Sequence, residues 1–289
     1  MAISTLLSSS LRMMTPLLFA ALGVLVTSKA GVVNMGMEGN MLFGAFISVY
    51  FTYVTGNPLV GQIAALMFGM IYGLVMSFFI IICKANHTVC GLGLNFVAQG
   101  ATTVLLGTVW NTSGISPSVT KFPSFTMGPL GLQSYNIIIV LLLCALVRTN
   151  FGLRMRSVGE NPAAADSVGI SVGRYQLMAM IIAGALGGLA GSELAIGQTG
   201  SFAKLMTSSK GFLSYSAVIF GGYGVIGTIL TTFVLGFLDA FQMRAQTVFN
   251  IPGQLLLMLP YLFTLIALIG VGNVKKPAAM GKIYERGKF

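Results

Sequence analysis

Residues 59–83 read LVGQIAALMFGMIYGLVMSFFIIIC, a run without a single charged side chain. At a rise of about 1.5 Å per residue, a helix of this length covers the roughly 30 Å hydrocarbon layer of a bilayer. Moving outward from it, Tyr175–Gly197 and Gln254–Gly272 give two further clear spans. Met13–Ser28, Met35–Val54, Thr88–Gly107, Leu132–Val147 and Gly224–Gln242 give weaker ones. A ninth stretch, Gly211–Gly222, is too short to cross, so it reads as half a helix or as a helix continued by irregular backbone buried in protein.

Composition agrees. Of the 289 residues 55% are hydrophobic and only 8% are charged, against about 25% charged in soluble domains. Mean hydropathy is +0.89. An ordinary soluble protein is excluded. The 37 glycines follow no three-residue period, which excludes collagen and suits membrane helices that approach closely. The expected fold is all-α: residues 1–289 as a single transmembrane domain, a polytopic integral membrane protein of about eight or nine spans. A net charge of +10 would suggest nucleic acid in a soluble chain. Here the basic residues fall between apolar runs, so no nucleic-acid partner is expected. Cys83, Cys90 and Cys144 with the single His87 show neither disulfide nor metal spacing, and no catalytic constellation is visible.

Charge sets the orientation. With nine crossings and the C-terminus inside, the inner loops hold Lys29, Lys84, Arg148, Arg154, Arg156, Arg174, Lys275, Lys276, Lys282, Arg286 and Lys288. Arg12, Lys121, Lys204, Lys210 and Arg244 are left outside. The excess inside is the usual orientation signal. It makes 148–174 a long cytoplasmic loop and 109–131 an extracytoplasmic one. If Gly211–Gly222 returns to its own side, there are eight crossings and the N-terminus moves inside. A weak internal echo accompanies this: Met35-Gly36-Met37-Glu38-Gly39 opens a short segment before the Gly56-Asn57-Pro58 turn, and Lys210-Gly211-Phe212 opens another before Gly222-Tyr223-Gly224. Two inverted repeats with broken first helices are how many transporters build a central pathway.

The loop 148–174 contains a small helix with marked ends. Asn161 is a good N-cap, Pro162 suits the first helical position, alanines follow and Gly169 can stop the helix. A plain solvated loop has no need of such a Pro162–Val168 helix, whose small side chains suit docking into a partner's groove.

The stretch Arg154-Met155-Arg156-Ser157-Val158-Gly159-Glu160-Asn161-Pro162-Ala163-Ala164-Ala165-Asp166, with Gly169-Ile170 and Arg174-Tyr175, closely resembles the coupling segment of bacterial ABC-importer permeases. The branch is the one containing ribose, branched-chain amino acid and nucleoside permeases. Ala183–Gly191, Ala217–Gly221 and Gly236–Gln242 are similar to later parts of that family, and Gly31–Gly39 and Gly91–Asn95 to its nucleoside (basic-membrane-protein type) branch. The resemblance covers Met13–Asn273. It implies a permease subunit in the bacterial cytoplasmic (inner) membrane that moves nucleosides inward by alternating access. A ribose-type sugar or a branched-chain amino acid is the alternative cargo, and an ion-coupled secondary transporter the alternative class. Implied partners are an ABC ATPase, a second permease subunit (the same chain or another), an extracytoplasmic substrate-binding protein or lipoprotein, and lipid. No Walker-type phosphate loop is present, so ATP and Mg are expected on the ATPase and no cofactor on this chain. The coupling residues are then Glu160, Asn161, Pro162, Ala164, Ala165, Asp166 and Gly169.

Polar residues inside apolar runs are costly to insert, which makes them candidates for the pathway. Glu38 lies between Gly36 and Gly39 with Asn34 and Asn40 nearby, and reads as a pathway anchor or as a brace for a broken helix. Asn95 and Gln99 share a helical face, fit either for a solute or for bonds between helices. Glu193 lies near the outer end of its span, and Asp239 and Gln242 are ambiguous. The pairs Gly69/Gly73 and Gly184/Gly188 are G-x-x-x-G patterns suited to close helix packing.

Overall fold

The computed structural model describes residues 2–122, 126–127, 132–133, 149–248, 255–256, 258–270 and 275–284. Among them are ten α-helices: α1 Ala2–Lys29, α2 Met37–Thr55, α3 Pro58–Ser77, α4 His87–Trp110, α5 Asn150–Glu160, α6 Pro162–Ser167, α7 Val172–Ser192, α8 Lys210–Phe220, α9 Val225–Val248 and α10 Leu259–Gly270. α3 and α7 each continue without a break into a π-helical turn, Phe78–Ile82 and Glu193–Thr199. Thr126–Met127 and Leu132–Gln133 form a minimal antiparallel pair, and Ile115 makes an isolated antiparallel bridge to Ala203; these are small departures from all-α. Beyond that pair, the expected span Leu132–Val147 lies outside the described residues, as does the start of Gln254–Gly272.

Among the described residues, five helical segments are long and apolar enough to cross a membrane: Leu6–Lys29, Pro58–Ile82, His87–Trp110, Val172–Thr199 and Val225–Gln246. Burial separates them. The apolar windows of the first and fourth are 78% and 83% buried, whereas those of the other three are 28–39% buried. α1 and α7 are therefore the central staves, with α3, α4 and α9 around them. α1 starts about three turns before the Met13 expected from hydropathy. In this stretch Ser10 Oγ and Thr15 Oγ1 donate to the carbonyls of Leu6 and Leu11, which satisfies the hydroxyls within the helix.

α7 is central because it has almost no side chains on two of its faces. A Cβ on Gly184 would overlap the carbonyl oxygen of Gly69, one on Gly188 that of Ala65, and one on Gly73 that of Met180. On the α2 side, Gly191 meets Met41 in the same way, and a Cβ on Gly44 would come within 2.5 Å of the Gly188 carbonyl oxygen. Between lipid-solvated helices the hydrophobic effect supplies little association, so this backbone-to-backbone contact carries the packing by dispersion.

α2–α3 and α8–α9 are two helix–turn–helix units. The first turns at Gly56, in the left-handed region at φ 70°, and Asn57 caps α3 by accepting the Leu59 N–H at 3.0 Å. The second turns at Gly222 and Tyr223, φ 63° and 55°. α2 has 19 residues, longer than a half-helix, while α8 has 11. Their N-termini meet inside the bundle.

Candidate translocation and coupling sites

The chain leaves α1 at Lys29 and does not begin α2 until Met37. Backbone left irregular at membrane depth needs partners from protein, and α4 provides them. Val33 N–H donates to His87 Nδ1 at 3.3 Å, Asn95 Nδ2 donates to Met35 O at 2.8 Å, and Gly39 N–H donates to Asn95 Oδ1 at 2.8 Å. Asn95 lies about 12 Å along α4 from His87, so α2 starts well inside the bundle. Space for this comes from glycine: a Cβ on Gly91 would press on the Gly36 nitrogen, and one on Gly39 on the Tyr72 hydroxyl.

Glu38 is the centre of the arrangement. It is 5% exposed, in the first turn of α2, and its carboxylate reaches the N-terminus of α8. Oε1 accepts the Thr207 hydroxyl at 2.5 Å and the Ser209 N–H at 2.9 Å; Oε2 accepts the Gly211 N–H at 2.7 Å. Helix N-termini carry unpaired N–H groups and partial positive charge. One carboxylate therefore serves the starts of two helices. The approach to α8 is strained: Leu205, Ser208 and Ser209, none of them glycine, have φ of 56°, 46° and 63°. Beside this junction Lys210 Nζ pairs with Asp239 Oδ2 at 2.5 Å. The orientation count places Lys210 in an outer loop; the structure instead turns it into the bundle.

The other expected pathway residues are spread around this centre. Asn40 Nδ2 donates to Gly184 O at 2.8 Å, clasping α2 to the α7 glycine face. Asn34 is buried in the irregular stretch, and Gln99 is half-buried one turn beyond Asn95. Glu193 is buried where α7 turns π-helical, its carboxylate against Gly197. Residue by residue, then, the structure joins Glu38 to α8, and Asn95 to the α2 break, and places Glu193 at the far end of α7.

The opposite end of α7 carries α5, α6 and the C-terminal stretch. Asn161 Oδ1 accepts the Ala164 N–H at 3.1 Å, and Gly169, φ 84°, follows α6, which ends at Ser167. Ala164 is exposed and Ala165 buried, so α6 shows one face outward. Next to it a cavity of about 500 Å³ is lined by Arg154, Val168, Gly169, Arg174 and Tyr175. A Cβ on Gly159 would overlap the Lys29 carbonyl oxygen, so α5 ends directly on the end of α1. Residues 278–284 strap these parts together. Ala278 N–H donates to Glu160 Oε2 at 3.2 Å, Ala279 N–H to Gly159 O at 3.0 Å, Gly281 N–H to Gly31 O at 2.9 Å, and Tyr284 OH to Asp166 Oδ2 at 3.1 Å. Glu160 and Asp166 thus hold their own chain's tail.

Sequence reading missed Thr207, Ser209, the Lys210–Asp239 pair and this strap. Opposite charges in two apolar runs were the available signal for the ion pair; a tail bonded through backbone N–H groups leaves none. Among the described residues no three metal-ligating side chains come together.

Residues 6–269 match the family model described as the permease component of the branched-chain amino acid transport system. The chain is 32% identical to the guanosine ABC transporter permease protein NupQ of Bacillus subtilis, covering 99% of this chain and 98% of that protein. It is also 32% identical to the nucleoside ABC transporter permease protein NupC of Lactococcus lactis, over 95% and 94%, and to a putative glucose ABC transporter permease protein, TsgC13, of Haloferax volcanii, over 84% and 78%. Among solved structures it resembles PsaBC from Streptococcus pneumoniae in complex with Fab, with a TM-score of 0.51, 13% identity, and 91% and 89% of the two chains covered, a likeness of fold. This multi-pass membrane protein therefore belongs to the permease-component family of the branched-chain amino acid transport system.

Proposed function

We propose that the chain is the membrane-spanning subunit of an ABC importer for nucleosides, powered by a separate ATPase. The near full-length similarity to guanosine and nucleoside permeases carries the substrate class. In this reading α6 docks in a groove of the ATPase. Its exposed Ala164 face lets a partner come close, and its fixed ends lower the ordering cost of binding. Movement of α6 reaches Gly31 through the strap, and Gly31 precedes the irregular stretch that leads to Glu38. Alternating access is then a rocking of the two units about the junction of α2 and α8. Asn95 acts as a brace, since both ends of its amide hold backbone. The positive-inside count places α5, α6 and the strap in the cytoplasm, where the ATPase is, and leaves the other face to a substrate-binding protein. A second permease subunit completes the pathway.

The test is uptake of labelled guanosine by vesicles holding the subunit with its second permease subunit, ATPase and binding protein. ATP-dependent accumulation that excess unlabelled nucleoside abolishes and glucose does not is the expected result. The similarity to TsgC13 favours glucose as the second reading, and competition by glucose instead would establish it.

A further inference from the structure

We infer that Lys210, Asp239 and Gln242 form a contact site for the ribosyl hydroxyls of the solute. The inference rests on the nucleoside reading. Asp239 and Gln242 are one turn apart on α9. At about 100° per residue they fall on the side of buried Thr232 and Leu235, opposite exposed Ile226 and Leu230. The pair thus faces the bundle, away from lipid. Its side chains still keep 19% and 12% of their surface open, so the ion pair borders accessible space beside the start of α8. Gln242 is 8% exposed, and its Oε1 is buried without a hydrogen-bond partner. Buried amide oxygens are almost always satisfied; this one is closed to solvent as it stands, and a turn of the amide toward Asp239, one helical turn away, would bring it to a hydroxyl held at the ion pair.

The chemistry selects the ligand class. Lys210 and Asp239 together are neutral, so the site gains nothing from a charged solute. A carboxylate accepts hydroxyl protons, and an ammonium donates to hydroxyl oxygens. Side by side at 2.5 Å they match two neighbouring hydroxyls. Gln242 Oε1 adds a second acceptor. A ribose with its 2′- and 3′-hydroxyls is such a ligand. Glu38, by contrast, already accepts three hydrogen bonds from its own chain and is a positioning residue.

The experiment compares uptake of guanosine and 2′,3′-dideoxyguanosine by the complete transporter in vesicles. The parent should prefer guanosine by about tenfold or more in KM. Asp239→Asn should raise KM for guanosine about tenfold while leaving that for the dideoxy compound unchanged, so the preference collapses. Gln242→Leu leaves the ion pair in place and should weaken the preference in the same direction. It decides the matter if Asp239→Asn fails to reach the membrane. A Gln242→Leu protein that keeps the full preference, or variants that slow both compounds equally, would make the cluster structural and overturn the site. A parent that imports neither compound would instead refute the nucleoside reading, and the site with it.

Discussion

Two of the contacts that hold α2 in place work by opposite means. Against α7 it lies on glycine: Gly44 meets Gly188, and Gly191 meets Met41, backbone on backbone. Against α8 it is held by one carboxylate that accepts three hydrogen bonds. The glycine seam is rigid, because each contact is a van der Waals wall with no slack. The Glu38 junction is directional and sits beside strained backbone, so it is the place where the two units can move relative to each other. The difference teaches which part of the molecule is frame and which is hinge.

The comparison breaks most visibly at the seam. Gly188→Leu places a branched side chain where the Ala65 carbonyl already lies, and should cost about 3 kcal/mol or more. The expected outcome is little folded protein in the membrane, read by detergent-resistant yield and melting temperature; a normal yield would mean that the seam is not a frame. At the hinge, Glu38→Gln keeps the size but turns an amide donor toward N–H groups that need an acceptor. A loss of about 1–3 kcal/mol should leave the subunit inserted and ATPase-bound but poor in uptake. Uptake at the parent rate would demote Glu38 to an incidental cap. Asn95→Leu strands the Gly39 N–H and the Met35 carbonyl, and about 1–3 kcal/mol should appear as a lower melting temperature together with lost uptake. An unchanged melting temperature would argue that Asn95 serves the solute instead of the helix break. The smallest effect belongs to the strap. Tyr284→Phe removes one hydrogen bond to Asp166, about 0.5–1.5 kcal/mol, and should lower the solute moved per ATP hydrolysed without lowering the hydrolysis rate.

These elements differ in how far the sequence foretells them. Gly69/Gly73 and Gly184/Gly188 are spaced one helical turn apart, so a one-dimensional pattern encodes a shared face. Asn161, Pro162 and Gly169 mark the ends of α6 locally, by capping chemistry. Glu38, a carboxylate inside an apolar run, draws attention by its cost, but its partners do not. Thr207 and Ser209 lie in a segment whose left-handed residues are not glycines, so nothing in residues 205–209 announces a turn. The Lys210–Asp239 pair depends on two helices meeting, which charge counting along the chain assigns to a loop. The strap is bonded mostly through backbone N–H groups, which every sequence contains.

The account's central claim is that α6 receives the ATPase, and Ala164→Arg tests it most directly. Ala164 is exposed on α6, a helix outside the spans, so the change leaves the bundle intact while pushing a long cation into the contact. Co-purification of the ATPase with the variant should weaken, and nucleoside-stimulated ATP hydrolysis and uptake should fall together, by about tenfold for a cost of 1–3 kcal/mol at the contact. A variant that co-purifies with its ATPase and imports like the parent would contradict the claim.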